Sequence, residues 1–250
     1  MGTKPHLCNA DRTAEIGGVI DTTIHLSQDA NVSRKMGPSL RTLDYQLMNV
    51  LDYLVNSLMA VVLIVGSYQF YFFLQRRHVR KPIEFSSRID ELIPFRPGWV
   101  WVYTALYYPV ILLGVLTIDS FAQFNYTAFS FIVLLAMQLL AFLIFPVRTP
   151  AGWREYKLEE SLSTRFLGLI QRYDAPSNSF PSMHVSVATL TALHLYNNLK
   201  PFVGQCAVLV FLFPVLIATS SLCTKQHYLA DVLTGAIFGY VNYKLFEFYW

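Results

Sequence analysis

The sequence predicts an all-α protein, a polytopic membrane bundle of six transmembrane helices with interfacial helices beside them. Three observations carry that expectation. Of 250 residues, 54% are hydrophobic and only 14% are charged, against about 25% charged in ordinary soluble domains. The charges are segregated, which leaves long stretches with none. Several of those stretches reach the roughly 20 mostly apolar residues that a helix needs to cross a hydrocarbon core.

Taken in order, residues 1–49 are polar and lack the short apolar core of a cleavable signal, so they read as a tail preceding a membrane domain over 50–250. Spans are expected at 53–74, 98–118, 127–147, 202–222 and 228–248. A sixth, 184–199, is short and carries Thr189, Thr191 and His194, but it fills the gap between two loops and is expected to stop at Lys200-Pro201. Pro109 and Pro214 fall inside spans, where neighbouring helices can satisfy the freed carbonyls. Between spans 3 and 4, Leu158, Leu162, Phe166, Leu169 and Ile170 recur at helical spacing with Glu159, Glu160, Ser161 and Arg165 between them, the pattern of a helix lying in the interface. Such a helix could equally be a plain cover.

The remaining composition excludes several classes. A net charge of +3 with no basic stripe gives no support for nucleic-acid binding. Three cysteines make no disulfide framework, because Cys8 lies in the tail and Cys206 and Cys223 sit roughly 25 Å apart on one expected helix. Six spans put both termini on one side and the starts of spans 4 and 6 on the other. That other side carries Arg76, Arg77, Arg80, Lys81, Arg88, Arg96, Arg148, Arg154, Lys157, Arg165, Arg172 and Lys225. By the positive-inside rule this side is cytoplasmic, although cations that hold phosphate would distort the count.

The chemistry-bearing residues lie on that side. His227 and Asp231 are four apart, hence on one helical face, where the carboxylate can accept the Nδ1–H and leave Nε2 free to attack. A carboxylate near the head of a membrane helix is costly, which favours a functional role over a merely structural pair. His184 follows Pro181-Ser182 at the head of span 4, where free backbone N–H groups suit phosphate oxygens and Ser182 can cap the helix or contact the phosphate. Alone, His184 would read as a solvated cap residue. His194 lies about 15 Å farther along the helix and reads as a packing histidine. Two histidines and a carboxylate could hold a metal, but no His-x-x-x-His or Glu-x-x-His pair accompanies them, so neither metal nor cofactor is expected. Arg148 and Lys225 are candidate phosphate-binding cations, with anchoring at head groups as the alternative.

Phe180-Pro181-Ser182-Met183-His184 followed by His227-x-x-x-Asp231 resembles the type-2 phosphatidic-acid phosphatase superfamily over roughly residues 50–248. The resemblance implies that His227 attacks phosphorus to form a phosphohistidine, that Asp231 orients it, that His184 protonates the leaving oxygen and that Ser182 contacts the phosphate. Two departures stand out. The last motif of the phosphatases begins Ser-Arg, where this chain has Ser220 and Ser221, and their Lys-x6-Arg-Pro motif is absent. Ser220 therefore joins Ser182, Arg148 and Lys225 as a substrate-binding candidate. Phe145-Pro146-Val147-Arg148-Thr149-Pro150, Asn178-Ser179 before the first motif and Gln226-His227-Tyr228 are similar to the inositol-phosphorylceramide-synthase-like branch. Sphingomyelin synthases likewise keep the histidines and lack the arginines.

The expected function is thus a membrane enzyme acting on lipid phosphate esters, most simply by transferring a phospho-head group to a lipid alcohol. A lipid phosphate phosphatase is the alternative within the same chemistry, and a non-catalytic scaffold or lipid transporter the alternative from another class. The partners expected are membrane lipids. The resemblance implies a lumenal or periplasmic active site, against the charge count.

Overall fold

The computed structural model describes residues 38–75, 81–84, 87–157, 161–174, 176–177 and 179–247, the first and last few of α1 by backbone alone. Most of the expected tail, Cys8, Arg76, Arg77, Arg80, Leu158 and Asn178 lie outside the described residues. The chain divides into two compact units, Met1–Leu51 and Asp52–Trp250, and the site lies in the second.

Among the described residues the architecture is helical, with two isolated β-bridges and no longer strand. Helix α1 covers Pro38–Gln75, so helical backbone begins within the stretch expected to be tail. The short helix α2, Arg88–Leu92, is closed by a reciprocal box in which Ser87 Oγ accepts from Asp90 N–H and Asp90 accepts from Ser87 N–H. A π-helical turn, Val102–Leu106, leads into α3, Tyr107–Leu116. Pro109 has no N–H for the carbonyl four residues back, and the helix widens just there. Helix α4, Phe121–Ile144, starts earlier than its apolar run because Ser120 Oγ caps Gln123 N–H.

Helix α5, Leu162–Tyr173, follows a Ser161–Thr164 capping box. Its buried face is Thr164, Leu167 and Gly168, while Leu162 and Leu169 are exposed. Of the same periodic stripe, Phe166 and Ile170 are half-buried, and the Phe166 ring stacks on Trp101 with centroids 4.8 Å apart. Helix α6, Met183–Val203, carries Pro201 inside its last turn and ends at Gly204, whose φ of 58° and N–H bond to the Lys200 carbonyl make the stop. The expected stop at Lys200-Pro201 is corrected accordingly. A 3-10 helix, Gly204–Phe211, leads into α7, Leu212–Cys223, and α8 covers Leu229–Glu247. Cys206 and Cys223 are free thiols.

Among the described residues four stretches are long and apolar enough to cross a membrane: Val50–Phe73, Pro97–Leu116, Phe121–Ile144 and Met183–Cys223. The fourth contains both α6 and α7, which fold back on one another so that Phe213 and Ile217 of α7 meet Val185 and Ala188 of α6. Helix α8 falls outside the four because Asp231, Asn242 and Lys244 dilute its hydropathy. The protein is a helical membrane bundle.

Helix α6 is the hub, packed on α8, α7, α3 and α4. Lipid tails are as apolar as leucine, so close packing of small residues carries such contacts. Gly235 and Gly239, spaced Gly-x-x-x-Gly on α8, provide it: a Cβ at Gly235 would lie 2.5 Å from the Ser182 carbonyl oxygen, and one at Gly239 2.5 Å from that of Ser186. The Ser182 N–H also donates to the Asp231 carbonyl at 2.9 Å. Backbone contact thus fixes the start of α6 against the start of α8.

Candidate active site

The turn between α7 and α8 delivers His227. Lys225 N–H donates to the Leu222 carbonyl and Gln226 N–H to that of Ser221, with Lys225 in the left-handed region at φ 55°. These are the paired bonds of a Schellman stop, in which glycine normally takes the left-handed place. A lysine there is strained, and its side chain is held on both sides: Nζ donates to the Asp90 carbonyl at 2.6 Å and sits 4.7 Å above the Trp153 ring. Burial pulls the Lys225 ammonium below its ordinary pKa.

Two carboxylates finish the head of α8. Asp231 Oδ2 accepts from Tyr228 N–H at 2.9 Å, and Asp90 Oδ1 accepts from Leu229 N–H at 2.8 Å. Burial pushes the Asp90 carboxyl up, but hydrogen bonds from Leu229 N–H, Ser87 N–H and the Ser87 hydroxyl, with the Lys225 charge, outweigh it and hold the pKa below the usual range.

His227 is buried, and its Nδ1 lies 2.9 Å from the Ser179 carbonyl oxygen and 3.5 Å from Asp231 Oδ2. The nearer partner is therefore a backbone carbonyl. Asp231 Oδ2 is already committed to the helix cap, and among the described residues Asp231 Oδ1 has no hydrogen-bond partner. A carbonyl can only accept, so the neutral imidazole carries its proton on Nδ1 and presents a lone pair at Nε2. The carbonyl is held by a small platform of extended backbone: Ser179 N–H donates to the Val147 carbonyl, Ile83 bridges Val147, and Arg148 bridges Ser177. The Tyr228 hydroxyl closes it by donating to the Arg148 carbonyl at 2.9 Å.

His184 enters from the head of α6, where Ser182 Oγ accepts from Val185 N–H. Its ring centre lies 6.4 Å from that of His227, although 43 residues separate them. Tyr103 from the π turn places its hydroxyl 2.8 Å from His184 Nδ1, and Tyr107, four residues on, packs against the same ring at 4.9 Å. With the phenol as donor, the neutral His184 ring carries its proton on Nε2. The two imidazoles then present opposite functions, a lone pair and a proton.

The structure brings His184, His227, Asp231 and Ser182 together and sets the other candidates apart. Ser220 is fully buried with its hydroxyl on the Ile217 carbonyl, and Ser221 likewise bonds Ala218, so no cation stands where the phosphatase arginine would be. Lys225 is turned to Asp90 and Trp153. Arg148 lies half exposed, with Nε 2.7 Å from Glu84. His194 packs 5.6 Å from Tyr243 and bonds the Ser130 hydroxyl.

Sequence reasoning did not single out Tyr103, Asp90 or Arg154. Arg154 donates to the carbonyls of Asp174 and Gln171 and, at 3.5 Å, to the side-chain amide oxygen of Gln226, the residue before His227. Its buried Nε has no partner among the described residues, and burial lowers its pKa. The recurrence of Tyr103 and Tyr107 on one face was the available signal for the first of these. Among the described residues no group of three or more His, Cys, Asp or Glu is arranged to hold a metal ion.

A helical membrane protein with two histidines meeting at the heads of two packed helices defines a class, and the sequence matches that class directly. Residues 96–245 match the PAP2 superfamily, and the chain belongs to it. The superfamily comprises enzymes of phosphoester hydrolysis and transfer. Over 72 residues the chain is 33% identical to the uncharacterized protein MJ0662 of Methanocaldococcus jannaschii, a match covering 29% of this chain and 28% of that protein. The chain thus spans well under half of that relative's length. No solved structure matches the chain.

Proposed function

We propose that this protein transfers a phospho-head group between lipids through a phosphohistidine on His227, in the manner of the inositol-phosphorylceramide-synthase-like branch. The observation that carries the reading is the complementary hydrogen bonding of the facing imidazoles, His227 on the Ser179 carbonyl and His184 on the Tyr103 hydroxyl. In the first step His227 Nε2 attacks phosphorus, the bond from phosphorus to the leaving oxygen breaks, and His184 Nε2 gives that oxygen its proton. In the second step His184 takes the proton of the acceptor hydroxyl, the acceptor oxygen attacks phosphorus, and the bond to His227 breaks.

Transfer is favoured over hydrolysis by charge. A phosphomonoester dianion calls for several cations, and Ser220 and Ser221 stand buried where the phosphatases keep one. A phosphodiester carries a single negative charge and needs fewer. Arg154 beside Gln226, with Arg148 once it leaves Glu84 and Lys225 once it leaves the Asp90 carbonyl, suffices for that, and Ser182 completes the phosphate surroundings we assign. The membrane topology belonging to this reading has six spans, with α6, α7 and α8 counted separately, residues 1–49 as a tail, and the histidines on the lumenal or periplasmic side.

The test is incubation of the purified protein with phosphatidylinositol or phosphatidylethanolamine, with and without ceramide or diacylglycerol. Head-group transfer that disappears in His227→Ala, with phosphorus label trapped on His227, is the expected result. Transfer that survives the substitution overturns the mechanism, and phosphate release from phosphatidate without transfer makes the protein a phosphatase.

A further inference from the structure

Helix α5 carries two opposite faces. Leu162, Leu169 and Tyr173 fall on one line along it, at i, i+7 and i+11, and are 75%, 47% and 74% exposed. The face packed on the bundle, Thr164, Leu167 and Gly168, lies about half a turn round the axis. On one flank of the outward line stand Arg165 and Arg172, both exposed and neither in an ion pair among the described residues. No acidic residue occurs from Leu162 to Tyr173. The outward face is thus an apolar line with a cationic border.

The spans define the depth at which this helix is pinned. Near its start, Trp101 Nε1 donates to Ser163 Oγ at 3.1 Å, beside the stacked Trp101 and Phe166 rings. At its end, the Tyr71 hydroxyl donates to Asp174 Oδ1 at 2.8 Å. Trp101 stands four residues inside the start of Pro97–Leu116, and Tyr71 two residues inside the end of Val50–Phe73. At 1.5 Å per residue both anchors lie on the order of 3–6 Å within a span. Consecutive spans run in opposite directions, so these are ends on the same side of the membrane. A helix held at both ends to such anchors lies along the membrane boundary. Interfacial helices seat their apolar face about 5–10 Å into the boundary of head groups and acyl chains.

We propose that the outward face of α5 docks on an anionic leaflet, with Leu162, Leu169 and Tyr173 entering the acyl boundary and Arg165 and Arg172 pairing with the phosphates of acidic glycerophospholipids. The inference goes beyond the reaction assigned to the histidines and does not depend on it. A zwitterionic leaflet would receive the apolar line but leave two cations without a net counter-charge. Acidic lipids answer both features. The depth set by Trp101 and Tyr71 places lipid against this face in preference to a soluble partner.

The test uses the full-length protein in nanodiscs, with a genetically encoded dansylalanine in place of Leu169. Quenching is read with phosphatidylglycerol or phosphatidylcholine carrying a nitroxide near the top of one acyl chain, each at the same fraction in a phosphatidylcholine bilayer. Both lipids should quench, and phosphatidylglycerol should be enriched at the probe by about five-fold for each arginine. Arg165→Gln combined with Arg172→Gln should bring the ratio of the two lipids close to one while leaving quenching by phosphatidylcholine unchanged. Salt at about 1 M, where the Debye length is about 3 Å, should do the same in the parent protein. Both arginines are exposed and the readout is a ratio, so small changes in stability cancel. Absence of quenching by either lipid, the result that water or a protein partner on this face would give, overturns the proposal. Equal quenching by the two lipids in the parent protein overturns it too, as does a preference unchanged in the double variant.

Discussion

Replacing Gly235 by alanine tests whether helix contact sets the catalytic geometry. The added Cβ would lie 2.5 Å from the Ser182 carbonyl oxygen and 3.3 Å from its carbonyl carbon. Carbon-to-oxygen contacts settle near 3.3 Å or beyond, so α6 and α8 must separate by roughly 0.8 Å. Nothing flexible can give way, because the obstructing atoms are backbone. Ser182 also caps α6 and donates its N–H to Asp231, so the displacement carries His184 away from His227. Overpacking of this kind costs about 1–3 kcal/mol of stability. A misplacement near 1 Å costs on the order of a hundred-fold in rate. Gly235→Ala should therefore elute as the wild type does on size exclusion, unfold at a lower temperature, and transfer head group on the order of a hundred-fold more slowly, the loss falling on kcat. A folded Gly235→Ala protein with a rate within about three-fold of wild type would refute the reasoning.

Three further outcomes follow from the same geometry. Tyr103→Phe removes the hydroxyl on His184 Nδ1 and should lower kcat by about ten-fold to a hundred-fold with KM little changed, within the range for perturbed acid–base catalysis; steady-state kinetics read the split. Asp90 has a folded pKa below its unfolded value, so its stabilising contribution is full above the ordinary carboxylate range and is lost as pH falls through the depressed folded pKa. Thermal unfolding should show a loss at acid pH that is smaller in Asp90→Asn, which also loses about 1 kcal/mol of helix capping at neutral pH. Arg148→Ala breaks a half-exposed ion pair with Glu84 and should change stability by under about 1 kcal/mol, while raising KM for the phospholipid donor.

Much of this was legible in the chain and some of it was not, for identifiable reasons. Apolar runs locate α1, α3 and α4 because a bilayer imposes length and composition locally. The pairing of His184 with His227 was legible because each heads a helix on the same side. The i, i+4 spacing brings Asp231 Oδ2 to 3.5 Å from His227 Nδ1, but spacing shows proximity and not competition: the Tyr228 N–H also claims that oxygen, and the Ser179 carbonyl stands nearer the ring, at 2.9 Å. A backbone carbonyl leaves no mark in a sequence. The tight crossing of α6 and α8 was written in Gly235 and Gly239, yet the spacing names no partner helix. Asp90 and Arg154 act across 139 and 72 residues, on Leu229 and Gln226 respectively, and no local pattern joins such positions. Lys225 was singled out because it neighbours the motif; the left-handed turn that rests its ammonium on the Asp90 carbonyl and the Trp153 ring has no local mark in the sequence.

The extended platform beneath His227 also governs where the chain can change length. Ile83 N–H donates to the Pro146 carbonyl and Arg148 N–H to the Ile83 carbonyl, while Val147 in turn receives Ser179 N–H. Loops between membrane helices ordinarily absorb insertions cheaply. Here three such loops are woven into one support, so each carries a register. A residue added or removed at 82–84 or 147–149 would shift the acceptor behind His227 as surely as an edit within its own motif. Chain-length tolerance in this protein therefore belongs to segments outside that weave, and an insertion scan would outline the active site without altering a single catalytic side chain.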